Sequence, residues 1–233
     1  MKVGIIVCGL VDPALVSDYG EYADMIQAGL SPHGDFHFQL YSALDQALPK
    51  AADECDGYIV TGSVHDAYTD EPWILNLVDW ICQLDAEEKP LIGICFGHQI
   101  IARALGGVVE KSPKGWGIGI SHNRVLSEQP WMTDSKEDLV LLVSHQDQVQ
   151  QAPDQMDVLA TSEFCPNFML VKGHHIVTVQ GHPEFSKDFE REMIQKRKVR
   201  LDDQLYQKAL ASLDEEPDSD LVMKWFANFL TQA

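Results

Sequence analysis

The sequence has few basic residues: 17 lysines and arginines stand against 36 aspartates and glutamates among 233 residues, a net charge of −19. An acidic surface repels nucleic-acid phosphates and anionic lipid headgroups, so we expect neither nucleic acid nor a membrane as a partner. The chain also lacks an apolar run near the ~20 residues that cross a bilayer. The apolar segment in residues 1–8 is too short for a secretion signal. These absences predict a cytoplasmic protein.

Cysteine is scarce, and the cysteines are scattered along the chain without a recognisable spacing. The five cysteines are odd in number and form no C-x-x-C pair; they are Cys8, Cys55, Cys82, Cys95 and Cys165. This spacing speaks against a disulfide framework or a zinc site and suits a reducing compartment. The sequence also contains no phosphate-binding G-x-x-x-x-G-K-[ST] motif and no dinucleotide fingerprint. The sequence therefore has no visible ATP site, and we expect no metal and no cofactor. Any ATP-dependent synthetase reaction would need a separate subunit.

No linker rich in proline, glycine or serine and no internal repeat divides the chain, so a single domain is predicted over residues 1–233. Strands are predicted at residues 2–7, 36–41, 57–60 and 90–94, and helices at 21–30, 73–84 and 97–105. Strands separated by crossover helices indicate a parallel sheet with helices on both faces.

The pattern then changes to short strands without helices between them, at residues 115–121, 124–126, 139–143, 158–161, 168–172 and 176–180. The tail from Ser186 is predicted to be helical and to end in a helix over residues 221–230. Its lysines and arginines at 196–200 are interpreted as a solvated helix end, with a docking site for a partner as the alternative. The whole indicates a three-layer α/β fold with a mainly parallel central sheet and a small antiparallel portion.

The segment Gly93-Ile94-Cys95-Phe96-Gly97 lies where the fourth predicted strand turns into a helix. It has the nucleophile-elbow pattern G-x-nucleophile-x-G, with cysteine as the nucleophile. Such a sharp turn brings backbones so close together that the flanking positions must be glycine. A helix N-terminus also favours a thiolate. The pattern predicts that Cys95 is a reactive nucleophile, although a tight turn around an inert cysteine would leave the same signature.

Among nine histidines, His182 stands out because it ends an apolar strand within Gly181-His182-Pro183-Glu184. Pro183 favours an extended backbone at His182, and in extended chain Glu184 points to the same side as His182. A carboxylate there can fix the imidazole tautomer, which is the third role in a nucleophile–base–orienter triad. The segment could also be an ordinary strand end, with His98 or His145 as the base instead.

Three blocks together resemble the class I glutamine amidotransferases of the Cys-His-Glu type. The blocks are residues 90–107 (PLIGICFGHQIIARALGG), 144–149 (SHQDQV) and 181–184 (GHPE), and the nearest likeness is to the glutaminase part of GMP synthase and its stand-alone relatives. The resemblance implies the flavodoxin-like amidotransferase fold. It also implies hydrolysis of the γ-amide of glutamine to glutamate and ammonia through a thioester intermediate.

The resemblance assigns a role to each site residue. Cys95 would be the nucleophile, His182 the general base and then acid, and Glu184 the orienting carboxylate. The backbone N–H groups of Gly62 and Phe96 would form the oxyanion hole. The remaining residues, Gln99, Ser144, His145, Gln146 and Asp147, would bind the substrate. Residues 144–147 would otherwise be interpreted as a polar loop.

The loop after the third strand departs from this pattern. Instead of two adjacent glycines and a proline, it has Gly62-Ser63, then Asp66-Ala67-Tyr68 and Pro72-Trp73-Ile74. This version is more similar to the γ-glutamyl peptidases, so a γ-glutamyl peptide such as glutathione is the alternative substrate to glutamine. A PfpI-like thiol protein is a weaker alternative, because Phe96 rather than histidine follows Cys95. A regulatory module without activity would not need all three triad residues.

Overall fold

A computed structural model describes residues 1–232, in which a nine-stranded sheet and a two-stranded sheet are flanked by seven α-helices. The strands are β1 (Lys2–Val7), β2 (His37–Ser42), β3 (Gly57–Val60), β4 (Leu91–Ile94), β5 (Val108–Lys111), β6 (Gly117–Val125), β7 (Asp138–His145), β8 (Asp147–Gln151), β9 (Asp157–Thr161), β10 (Met169–Lys172) and β11 (Ile176–Val179). The helices are α1 (Pro13–Tyr19), α2 (Tyr22–Leu30), α3 (Pro72–Ala86), α4 (Phe96–Ala104), α5 (Lys187–Arg197), α6 (Asp203–Ser212) and α7 (Ser219–Gln232).

The large sheet has the strand order β2-β1-β3-β4-β11-β10-β9-β6-β7. Strands β2 to β11 in this order run parallel, whereas β10, β9, β6 and β7 pair antiparallel with their neighbours. Strand β4 has β3 on one side and β11 on the other, with Ile94 opposite Val179. The carboxyl ends of these three parallel strands therefore meet at one edge, where ligands bind in sheets of this type.

Alternate residues of the parallel strands feed two separate cores. Ile5 packs in a core with α2 and α7, whereas its neighbour Ile6 packs on the opposite face in a core with α3 and α4. Strands β3 and β4 are buried along their whole length, as expected for strands covered by helices on both faces. The three-layer α/β fold predicted from the sequence is thus confirmed.

Several local predictions were wrong. Residues 115–121 and 124–126 were expected to form two strands, but residues 117–125 form the single strand β6, and residues 115, 116 and 126 lie outside it. Helix α1 and the small sheet of β5 and β8 were not predicted, because each is too short to show a clear period. Residues 144–147, which without the family resemblance would have been interpreted as a polar loop, lie mostly in strands. Strand β7 runs to His145 and β8 begins at Asp147, so only Gln146 lies between two strands.

Candidate active site

Cys95 lies at the turn from β4 into α4 with φ 52° and ψ −100°, a conformation that is strained for a residue other than glycine. The two glycines of the motif make this turn sterically feasible. A Cβ atom at Gly93 would lie 2.6 Å from the carbonyl oxygen of Gly97, and one at Gly97 would overlap the carbonyl oxygen of Val60. The predicted requirement for glycine at both positions is confirmed. Cys95 itself is 6% exposed.

His182 follows β11 at the same edge of the sheet. Its Nδ1 lies 2.8 Å from Oε1 of Glu184, so the prediction that the two side chains share one side of the chain is confirmed. Both side chains are buried, and Phe185 stacks on the imidazole with a centroid separation of 3.9 Å and an interplanar angle of 8°. The hydrogen bond and the stacking fix the orientation of the ring.

The charge state of His182 depends on its neighbours. Burial alone would lower its pKa, but the sulfur of Cys95 and the carboxylate of Glu184 outweigh burial and raise the pKa to about 10. The imidazole is therefore favoured in its protonated form near neutral pH. A cation beside a sulfur stabilises the thiolate form of that sulfur.

Gly62 lies beside both side chains. A Cβ atom at Gly62 would be 3.2 Å from Cε1 of His182 and 3.9 Å from the Cβ of Cys95. Phe96 is the first residue of α4, and backbone N–H groups in the first turn of a helix lack intrahelical acceptors. The structure thus brings the two backbone segments predicted for the oxyanion hole next to Cys95.

A buried pair of glutamines connects Cys95 to the start of β8. Nε2 of Gln99 donates to the backbone oxygen of Asp147 at 2.9 Å and to Oε1 of Gln180 at 3.1 Å. Nε2 of Gln180 in turn donates to Sγ of Cys95 at 3.5 Å. The sequence analysis missed Gln180. Its position two residues before His182 in an extended segment was the available signal, because alternate residues share one side.

The segment predicted to bind substrate lies at a cleft of about 200 Å³ that Cys95 also lines. The cleft is lined by Ser144, His145, Gln146 and Asp147 together with Gln99. Burial lowers the pKa of His145 to about 4, and its Nδ1 lies 3.0 Å from the backbone oxygen of Asp147. Burial and the neighbouring Asp66 raise the pKa of Asp147 to about 6. This wall therefore offers a neutral imidazole and a carboxyl group.

The cleft also has lining residues from the tail, which the sequence did not connect with a site, and Trp116, for which a place in the cleft and a place in the core were equally open. Arg197 and Arg200, from the end of α5 and the turn after it, line the cleft together with Trp116. Both arginines had been interpreted as part of a solvated helix end. Arg200 is exposed, as that interpretation expects, but Arg197 is half-buried, so the interpretation was wrong for Arg197. The guanidinium carbon of Arg197 lies 5.5 Å from the ring centroid of Trp116.

Residues 1–232 contain no group of three or more histidine, cysteine, aspartate or glutamate side chains that could hold a metal ion. His65, which lies next to Asp66 in the loop after β3, donates its backbone N–H to Oγ of Ser63 at 3.1 Å. No helix in the described part of the chain is long and apolar enough to cross a membrane.

Comparisons with known proteins agree with this architecture. The family model for class I glutamine amidotransferases matches residues 16–201. Gamma-glutamyl peptidase 2 of Arabidopsis thaliana is 31% identical over 220 residues, which cover 91% of this chain and 88% of the relative. The GMP synthase of Pyrobaculum aerophilum is 31% identical over 175 residues, covering 75% of this chain but 33% of that protein.

Solved structures show the same fold. A glutamine amidotransferase from Thermotoga maritima superposes with a TM-score of 0.75 at 19% identity, covering 99% of this chain and 96% of that one. The protein SMU.1228c superposes with a TM-score of 0.77 at 21% identity, and each chain is fully covered. The resemblance drawn from the three sequence blocks is confirmed, and the chain belongs to the class I glutamine amidotransferase family.

Proposed function

We propose that this protein hydrolyses γ-glutamyl amide bonds, with Cys95 as nucleophile, His182 as general base and acid, and Glu184 as the carboxylate that orients His182. The observation that carries the proposal is the position of the Cys95 elbow and the His182–Glu184 pair at one edge of the sheet. The strained turn places Cys95 in the wall of the cleft, and the 2.8 Å hydrogen bond to Glu184 holds the imidazole of His182.

In the proposed reaction, the Cys95 thiolate attacks the γ-carbonyl carbon, and a carbon–sulfur bond forms. The N–H groups of Gly62 and Phe96 stabilise the oxyanion of the tetrahedral intermediate. The carbon–nitrogen bond then breaks, and the amine leaves with a proton from His182. Water attacks the thioester while His182 takes its proton, which releases glutamate and regenerates the thiolate. No cofactor takes part in any step.

We assign the glutamyl group to the cleft between Cys95 and residues 144–147. The carboxylate of Asp147 would pair with the α-amino group, because its Oδ1 is buried without a hydrogen-bond partner among the described residues. Gln99 would act through the backbone at Asp147, to which it donates at 2.9 Å. Ser144, His145 and Gln146 complete that wall.

We place γ-glutamyl peptides first as the substrate class. The Arabidopsis gamma-glutamyl peptidases are 30–31% identical over 91% of this chain. The sequence-based resemblance of the Asp66-Ala67-Tyr68 loop to γ-glutamyl peptidases points the same way. A peptidase needs no partner, which suits one domain over residues 1–233 acting alone in the cytoplasm. The second candidate is a glutaminase that supplies ammonia to a separate synthetase subunit. The match to the family model and to GMP synthase favours it.

The test is glutamate release by the purified chain from L-glutamine and from glutathione or another γ-glutamyl dipeptide, without added partners. Faster release from the dipeptide supports the peptidase. Release from glutamine alone, increased by an added synthetase, supports the second candidate. Cys95→Ala should abolish both activities. Cys82→Ser, which removes an exposed thiol outside the cleft, is the matched control and should retain them.

Labelling with limiting iodoacetamide near neutral pH tests the nucleophile independently of the substrate. Burial raises the pKa of the Cys165 thiol to about 12, and burial also raises that of Cys8, so both are poor nucleophiles. Burial and the carboxylates of Asp79 and Asp85 raise the pKa of exposed Cys82. We expect Cys95 to be modified first and to be protected by glutamine analogues. Preferential modification of Cys8 or Cys82 would contradict the assignment.

A further inference from the structure

The cleft at Cys95 adjoins a second, larger cavity of about 880 Å³. We call it the outer pocket, and define it by Leu10, Tyr22, Val64, Arg197, Val199 and Arg200. Val64, Arg197 and Arg200 also line the cleft, so the two spaces share a wall. An ammonia molecule leaving Cys95 would need almost none of this volume, whereas a leaving amino acid would occupy a substantial part of it.

The outer pocket exposes aliphatic side chains at an unusual level. Val199 is 91% exposed, Val64 is 70% exposed and Leu10 is 59% exposed. Exposed apolar side chains that cluster beside polar groups are typical of binding sites. Such a surface favours an apolar group on whatever enters the pocket.

The two arginines lack acidic partners. Within residues 1–232, no carboxylate lies within salt-bridge distance of Arg197 or Arg200, in a chain with a net charge of −19. Two acidic residues that line the outer pocket have other partners: Asp12 pairs with Lys196 at 2.8 Å, and Glu21 accepts the backbone N–H of Val11 at 2.8 Å. The buried carboxyl group of Glu190 lies near enough to Arg197 to feel its charge, but the two form no ion pair. The only side-chain hydrogen bond of Arg197 in this part of the chain is a long one, 3.5 Å, to the backbone oxygen of Met193.

The unpaired arginines and the exposed aliphatic side chains together match one kind of leaving group, an amino acid. In a γ-glutamyl dipeptide, the nitrogen that leaves Cys95 carries a Cα with a free carboxylate and a side chain. A guanidinium group binds a carboxylate through two parallel hydrogen bonds, and an aliphatic wall accepts an apolar side chain. The two arginines and Val64 lie on the shared wall between the cleft and the outer pocket, and Val199 lines the outer pocket alone.

We propose that the outer pocket is the subsite for the leaving residue, and that it selects an apolar amino acid with a free α-carboxylate. Arg197 and Arg200 bind that carboxylate, while Val64 and Val199 contact the side chain. This inference rests on the proposed γ-glutamyl hydrolysis and narrows it to γ-glutamyl dipeptides that end in an aliphatic residue.

The test compares kcat/KM for γ-glutamyl-leucine with kcat/KM for γ-glutamyl-leucinamide, whose carboxylate is capped. We expect the wild-type protein to have a higher kcat/KM for the free acid than for the amide. In the Arg197→Gln/Arg200→Gln double variant, the ratio of these two kcat/KM values should fall about 10- to 100-fold. Val199→Asp should reduce the preference for leucine over glycine as leaving residue by at least about fivefold. Lys198→Met is the control, because Lys198 lies 5.0 Å from the Tyr206 ring and does not line either cavity.

A ratio that the arginine substitutions leave unchanged in an active enzyme would overturn the subsite but not the hydrolase. If the wild-type protein releases glutamate from no γ-glutamyl compound, the proposed function fails, and calorimetry then tests the subsite directly. Binding of γ-glutamyl-leucine that weakens at least about tenfold in the arginine variant supports it. Equal binding by the two proteins, or binding by neither, contradicts the subsite. If an added synthetase stimulates glutamine hydrolysis by the wild-type protein but not by Val199→Asp, the outer pocket is a docking surface for that subunit instead.

Discussion

The two sides of the cleft differ in how closely their residues are tied to the parallel core. Cys95 and His182 each lie within three residues of the end of a fully buried parallel strand. The backbone N–H of Cys95 donates to the backbone oxygen of Val179 at 2.9 Å, which ties the elbow to the end of β11. Arg197 and Arg200 instead come from a helix end and a short turn on the surface. The first side is held by the sheet register, whereas the second depends on how the tail packs.

The comparison predicts large effects on the sheet side. His182→Ala should lower kcat/KM about ten-thousandfold, whereas Glu184→Gln should retain more activity because an orienting group contributes less than the base. Steady-state kinetics with a γ-glutamyl dipeptide measure both. His33→Ala, at a partly buried histidine that pairs with Asp220 and does not line the cleft, is the control. Near wild-type turnover in His182→Ala would identify a different base.

The tight elbow predicts a large effect on stability. Gly97→Ala places a methyl group against the backbone oxygen of Val60, which cannot move without disturbing β3, and should lower the free energy of unfolding by about 3 kcal/mol. Gly29→Ala is the matched control: its Cβ would meet only the flexible end of Met223, and alanine favours a helix. Urea denaturation measures both, and equal stability of the two variants would contradict the packing argument.

The tail side contains a costly buried charge. Glu190 on α5 is fully buried, and burial raises its pKa to about 7 from an ordinary 4.5, despite opposing effects of Arg197 and His182. Because the folded pKa is the higher one, the stability from proton uptake is complete below pH 4.5 and is lost as the pH rises through 7. Glu190→Gln should therefore be more stable than wild type by about 3 kcal/mol at pH 8.

That difference should shrink on acidification and vanish near pH 4.5. Melting temperatures recorded across this range test it, with Glu192→Gln on the same helix as the control. A destabilised Glu190→Gln at pH 8 would indicate that the carboxylate is needed in its charged form.

The smallest expected effect concerns Asp147 in the wall of the cleft. Burial and Asp66 raise the pKa of Asp147 to about 6, so its carboxylate is lost as the pH falls below that value. If it binds the α-amino group, KM should rise about tenfold between pH 7 and pH 5. Asp147→Asn should show a high KM with little pH dependence, while exposed Asp154→Asn should behave as wild type. A pH-independent KM in the wild-type protein would remove Asp147 from substrate binding.

The same contrast explains what could be predicted from the sequence. The bounds of β1 and β3 agree with the prediction at every residue, since short apolar runs between turn residues determine them locally. Cys95 and Glu184 could be predicted as site residues because the chemistry and the spacing that point to each lie in one short segment. Arg197 was misassigned because its role depends on contacts with Trp116, 81 positions away in the chain, which no local pattern encodes.

The aromatic stack at His182 has a kinetic consequence. Phe185 covers one face of the imidazole at 3.9 Å and itself stacks on Tyr22 of α2 at 5.9 Å, so the ring cannot rotate without displacing two further aromatic side chains. Nδ1 therefore remains bound to Glu184, and only Nε2 is free to exchange protons. The rotational entropy of the imidazole is lost once, during folding, and successive proton transfers begin from the same ring orientation.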